Sequence, residues 1–409
     1  MFLRLAWFSL LSRKGSVLLT LLAISVSIFV LLGIEHIRQQ AKSSFGNTVS
    51  GVDLIVGART GDINLLLYSV FRLGNATNNI SWSSYQNIQS QPQVAWSIPI
   101  SLGDSHKGFR VMGTDRGYFE HFRYGQKRPL TLAQGKPFDK VFDVVLGAKV
   151  AEQLKYQLGD QLTLSHGMGS TSFSEHKDKP FRVVGILEGT GTPVDQTLHV
   201  SLQGIEAVHL NWQSGPHKKR KKAEALADLQ QLEPESITAF MLGLKSKMAI
   251  FRLQRNINNF PKEPLLAILP GVTLTQLWEM MAAVEQSLQL VSALVLLASL
   301  LGLSAMLLTS IRERQREITI MRMLGASPLF IFILIQLEAM LITLSALAIA
   351  LLSLVATTML TGEWLAKDLG VHLSPWAPNA SSILMMAAIL LSAFLVSLAP
   401  AISAYSRAK

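Results

Sequence analysis

Six charged residues, Arg312, Glu313, Arg314, Arg316, Glu317 and Arg322, crowd one short segment between two long apolar runs. Lipid cannot solvate that much charge, so the segment belongs at a membrane surface. Its chemistry is recognition rather than bond-making. Guanidinium groups pair bidentately with a partner's carboxylates, and a glutamate kept among the arginines is not what simple anchoring to anionic lipid requires. Topology anchoring is the plainer alternative. Ile311, Ile318 and Met321 recur at helical spacing, which predicts a short amphipathic helix lying on the surface. Gly325 and then Pro328 end it, glycine by taking the left-handed cap and proline by refusing to continue the helix.

Other residues that could do chemistry are fewer. Glu338 falls two to three turns into the next apolar run, where a charge is costly. It either pairs internally, with an arginine of the charged segment or as a conformational latch, or sits at the interface on a helix that starts below the bilayer. His166, Glu175, His176 and Asp178 occupy a glycine- and serine-rich stretch. Histidine with carboxylates suits zinc or another divalent ion, although the spacing matches no established zinc motif and a solvated loop explains it equally well. His166, His176 and Asp178 are therefore low-ranking metal candidates, and no metal is expected. His217-Lys-Lys-Arg-Lys-Lys222 reads as a solvated basic loop, with anionic lipid or an acidic partner as the alternative. Nothing resembles G-x-S-x-G or H-E-x-x-H, so no catalytic residue is assigned. No G-x-x-x-x-G-K-[ST] loop is present to cradle ATP phosphates.

The elements that position these residues follow from hydropathy. A spanning helix takes about 20 apolar residues, and four segments qualify: roughly Val17 to Ile34, Leu288 to Ile311, Leu329 to Leu360 and Ile383 to Ile402. The third is overlong and must tilt, kink or protrude. Arg4, Arg13 and Lys14 precede the first span, the arginine segment separates the second and third, and Arg407 and Lys409 follow the fourth. The loop after the third carries no basic excess. The positive-inside rule puts both termini and the arginine segment in the cytoplasm, and roughly Arg38 to Glu285 outside. The first span reads as an uncleaved anchor, because it is long for a signal peptide and ends in Ile34-Glu35-His36 rather than a small-x-small site. The net charge of +10 is largely accounted for by such flanks, and nucleic-acid binding is not expected. The absence of cysteine excludes disulfides and thiolate metal sites.

The outer region reads as mixed α/β. Val144-Val-Leu146, Gly147 and Ala148 to Tyr156 spell strand, turn and helix; Leu158-Gly-Asp160 is a turn signal before the strand Gln161 to Leu164. Phe181 to Leu187 and Val52 to Gly57 are strand-like, and Asn79 to Ser84 opens a capped helix. Leu274 to Gln286 is expected to be helical and continuous with the second span.

The layout resembles the MacB/FtsX family of ABC-transporter membrane subunits. Three motifs carry the resemblance: Leu5-Ala-Trp-Phe-Ser-Leu-Leu-Ser-Arg-Lys14 before the first span, Arg314-x-Arg-Glu-Ile318 through Arg322-Met-Leu-Gly-Ala326, and Ala399-Pro-Ala-Ile-Ser-Ala404 at the end of the fourth. Thr319 and Met323 stand where the family usually has glycine and alanine. Val145-Leu-Gly147, Leu158-Gly-Asp160 and Val183-Val-Gly-Ile186 are similar to its outer-domain core. The resemblance implies an α-helical membrane protein with four transmembrane helices in a 1+3 arrangement and an inserted mixed α/β extracytoplasmic domain. The expected divisions are 1–36 (N-terminal amphipathic helix and first span), 37–284 (outer domain, with a β-rich subdomain around 131–205) and 285–409 (three spans, with the coupling helix at 312–326). It further implies a permease of the bacterial inner membrane, both termini cytoplasmic and the large domain periplasmic. Two copies, or this chain with a related subunit, would pair with separate ABC ATPase subunits. ATP and Mg would be bound by those partners and no cofactor by this chain. Arg314, Arg316, Glu317, Ile318, Arg322, Leu324, Gly325 and Ala326 would form the coupling contact, with Glu338 the membrane-embedded charge. The lipid bilayer and a periplasmic adaptor or binding protein complete the expected partners. The function implied is export or release of a substrate at the outer face. The alternatives are an FtsX-like regulator of a cell-wall hydrolase, a metal-linked ABC system, or an anchored outer-face enzyme, for which no motif speaks.

Overall fold

The computed structural model describes residues 2–11, 13–46, 48, 50–166, 179–213, 229, 232–313, 315–323, 325–368 and 378–407. They form two compact units, one of Met1–Ala41 with Met281–Lys409 and one of Lys42–Met280.

The first unit is helical. An N-terminal helix (Phe2–Leu11) precedes four long ones: Lys14–Gly46, Pro270–Glu313, Pro328–Asp368 and Ala380–Arg407, with a short helix, Gln315–Met323, between the second and third. Each long helix contains a segment long and apolar enough to cross a membrane, and together these cover the four spans expected from the sequence. The residue spacing explains the packing. Ile24, Ile28 and Leu32 line one stripe of the first long helix, and Leu300, Leu303 and Leu307 one of the second. On the third, Ile335, Ala339, Ile342, Ala346 and Ala350 give a stripe whose alanines admit close helix approach. The opposite faces are apolar too: Leu19, Leu352 and Leu384 are each more than 70% exposed. Helices hydrophobic all round need a lipid solvent. The segment 274–286 is helical as expected, within the unbroken helix Pro270–Glu313.

The second unit is built on a mixed sheet. Its main path runs Leu265–Ile268, Leu54–Ala58, Ala239–Leu244, Val94–His106, Phe109–Thr114, Thr197–Ser201, Asp143–Leu146, Phe181–Leu187 and Leu132–Gly135. The long strand Val94–His106 joins the two halves. Its first part pairs with Ala239–Leu244 and its second with Phe109–Thr114, both antiparallel. Two pairs are parallel, Thr197–Ser201 with Phe109–Thr114 and Phe181–Leu187 with Asp143–Leu146. Asp143–Leu146 is buried along its whole length, as an interior strand should be.

One edge of the sheet is closed by side chains. The helix Ile250–Asn258 lays Leu253 and Ile257 over the edge strand Leu265–Ile268. Asn258 Oδ1 accepts the Ala267 N–H at 2.6 Å, and Gln254 Nε2 donates to the Ala267 carbonyl at 3.0 Å. These bonds use edge groups that would otherwise be open to another strand.

Candidate functional site

The short helix Gln315–Met323 carries the charged segment. Arg316, Glu317 and Arg322 are exposed, while Ile318 and Met321 are half-buried on the opposite face. Ile318 packs against the helical core. Arg314 and Leu324 lie outside the described residues. Gly325 has φ +95°, and its N–H bonds the Arg322 carbonyl at 2.9 Å while the Ala326 N–H bonds that of Met321 at 2.9 Å. This is the paired 5→2 and 6→1 capping that a left-handed residue permits. Ser327 then accepts the Phe330 N–H at 3.3 Å, and Pro328 takes the first position of the next helix, so stop and start follow without a spacer.

A Cβ on Gly325 meets nothing within 4 Å, so substitution there costs backbone strain alone. Gly325→Ala should loosen the helix end by about 1 kcal/mol. Faster amide hydrogen exchange over 315–323, with the four long helices unchanged, is the expected reading.

Beside the short helix lies a groove of about 810 Å³, lined by Ile311, Gln315, Ile318, Arg322, Gly325 and Ala404. Ala404 belongs to the Ala399–Ala404 motif. The fourth long helix continues through Pro400 to Arg407, with Ala401 and Ala404 buried. Among the described residues neither Arg316 nor Arg322 has an ion-pair partner.

Glu338 is 2% exposed, on the third long helix. Its two oxygens accept from Ser9 Oγ–H and from Arg13 Nη2, the latter at 3.2 Å. Arg13 Nη2 also reaches Ser9 Oγ at 3.3 Å. The sequence leaves Glu338 open between an internal role, paired with an arginine of the charged segment or acting as a latch, and an interfacial position. The ion pair in the structure is with Arg13, which the sequence marks only as a flank of the first span. A lone carboxylate among apolar helices requires a cation nearby, and Arg13 was available on that ground.

Of the metal candidates, the backbone of His166 lies in the strand Ser165–His166, beside Val94–His106. Its side chain, together with Glu175, His176 and Asp178, falls outside the described residues, as does the basic run His217–Lys222. Among the described residues, no cluster of three histidine, aspartate or glutamate side chains is placed to hold a metal ion.

Residues 17–257 match the MacB-like periplasmic core domain, and residues 290–407 match the FtsX-like permease C-terminal domain. The chain belongs to the MacB/FtsX family of ABC-transporter permeases. It is a membrane protein with an extracellular domain, and permeases of this family work with an ABC ATPase. The periplasmic region of MacB from Actinobacillus actinomycetemcomitans is similar to this permease at 14% identity. It covers 57% of this chain and 94% of its own, with a TM-score of 0.36. The extracellular domain of the noncanonic ABC-type transporter YknZ from Gram-positive bacteria is 12% identical over 53% of this chain and 98% of its own, with a TM-score of 0.31. No curated protein matches the chain.

Proposed function

We propose that this permease converts ATP hydrolysis by a separate ATPase subunit into movement of its outer domain, which exports or releases a substrate at the outer face. Its spans take the 1+3 arrangement, both termini lie on the cytoplasmic side, and two permease subunits pair with two ATPases. ATP and Mg are bound by the partner, and this chain carries out no bond-making step. The short helix Gln315–Met323 is the coupling element, with the expected set Arg314, Arg316, Glu317, Ile318, Arg322, Leu324, Gly325 and Ala326 at the contact.

The observation that carries this reading is the construction of that helix. It is capped at Gly325, keeps Ile318 against the core and leaves Arg316, Glu317 and Arg322 exposed. A helix held from behind and charged in front suits transmission of a push better than flexible anchoring. Arginines pair bidentately with carboxylates, so an acidic groove on the ATPase is the fitting surface.

The test is affinity purification of the full chain in mild detergent with identification of its partners. An ATPase should be recovered, and Arg316→Glu or Glu317→Lys should reduce its recovery about tenfold or more, equivalent to ~1.4 kcal/mol of contact energy. Undiminished recovery and coupled activity in both variants would sink the coupling assignment.

A further inference from the structure

In the Ser9–Arg13–Glu338 cluster the Arg13 guanidinium is incompletely satisfied. Removing each ion of a buried pair from water costs several kcal/mol, recovered only with excellent geometry and full hydrogen bonding. Arg13 reaches the carboxylate through Nη2, and its Nε is buried without a hydrogen-bond partner. Apolar residues at these positions would serve packing as well or better. A half-engaged guanidinium instead suits a pair that changes partners between two arrangements.

The surroundings identify what would move it. A cavity of about 20 Å³ adjoins Glu338, lined also by Ile318 and Met321 of the short helix and by Ser310 and Ile311 of the second long helix. A void of that size holds about one water. The inner face of the short helix therefore borders the carboxylate's own cavity, and a displacement of that helix acts directly on Glu338. Ser9 lies near the end of the N-terminal helix, and Arg13 directly precedes the first long helix.

We propose that Ser9, Arg13 and Glu338 form an ionic latch that ties the N-terminal helix to the third long helix and opens when the short helix is pushed. The proposal rests on the coupling reading above. Opening the latch passes the push to the first long helix, which has no direct chain connection to the short helix. Ser9, Arg13 and Glu338 are thus positioning residues.

Because the chain has no cysteine, the variant Ser9→Cys/Glu338→Cys can be joined at these two sites alone. The full chain is purified with its ATPase, reconstituted in nanodiscs and treated with a short bis-thiosulfonate cross-linker that reductant removes. Cross-linking should lower ATP hydrolysis about tenfold, within the range of an allosteric coupling, and reductant should restore it. Equal rates before and after reduction, in an intact complex, overturn the latch; a folding defect cannot mimic the reversal. Glu338→Gln keeps the Ser9 contact and removes the charge, and it should raise basal hydrolysis about threefold without reducing ATPase recovery. An unchanged basal rate also overturns the proposal. If no ATPase accompanies the wild-type chain, the coupling reading fails and takes the latch with it; an ATPase that is present but insensitive to the cross-link removes the latch alone.

Discussion

Gly147→Ala should destabilise the outer unit by about 3 kcal/mol or more, at the upper end of what overpacking costs. A Cβ at Gly147 would lie 2.4 Å from the Val194 carbonyl oxygen and 2.5 Å from that of Asp195. Both contacts are backbone, and the backbone there is fixed. Asp195 is 2% exposed and accepts from Thr190 N at 2.8 Å, Gly191 N at 2.7 Å and Thr190 Oγ1 at 2.8 Å. The Gly147 N–H is itself committed to the Thr197 carbonyl at 3.0 Å. Neither side can retreat without breaking bonds that hold the turn Pro193–Gln196 against the strand end. Denaturation of the full chain in detergent, followed by tryptophan fluorescence, is the measurement. A midpoint within error of wild type would contradict the close approach. Gly159→Ala is the contrast, because Gly159 has φ +95° but nothing nearer than 3.9 Å; only about 1 kcal/mol of strain is expected there.

These glycines show what a sequence reveals and what it withholds. Val145-Leu-Gly147, Leu158-Gly-Asp160 and Val183-Val-Gly-Ile186 stand out as motifs, and the flanking strands Asp143–Leu146 and Phe181–Leu187 can be read from their apolar runs. The reason for each glycine is tertiary. Gly147 meets a turn almost fifty residues later, and Gly185 has Lys136 O 2.5 Å from where its Cβ would be. The long strand Val94–His106 is not legible at all. Pro99 and Gly103 break its pattern, and its continuity comes from two different neighbours pairing with its two ends. The four apolar helices and the cap at Gly325 were readable because length and turn chemistry are local properties. The partnership of Glu338 with Arg13 spans 325 positions and leaves only the general requirement for a cation.

Acid should unfold the outer unit through His199, and Asp115 should mask the effect until it is removed. Burial, reinforced by the Arg72 guanidinium, pushes His199 down to about 3 from 6.5, against a weak opposing bond to the Val145 carbonyl at 3.4 Å. Its ring stacks on Tyr118, and Nε2 has no hydrogen-bond partner. The unfolded chain takes the proton that the folded one refuses. Stability from this group is complete above pH 6.5 and is lost as pH falls toward 3. At ~1.4 kcal/mol per unit, the loss amounts to roughly 3–5 kcal/mol.

Asp115 runs the other way. Burial raises its carboxyl to about 6 from 3.8, only partly opposed by backbone N–H groups of Gly117 and Tyr118. Its contribution is present below 3.8 and is lost as pH rises through 6. Between 3.8 and 6 the two groups oppose each other, so wild-type stability should vary little in that window and fall below it. Asp115→Asn removes the opposition, and its stability should fall steadily from pH 6.5 downward. His199→Phe keeps the ring against Tyr118 and removes the titration, so that variant should instead be most stable in acid. Unfolding midpoints of the full chain across pH 3.5 to 7.5 separate the three curves. Parallel curves for wild type and His199→Phe would mean that His199 accepts a proton in the folded state, which its complete burial beside Arg72 opposes.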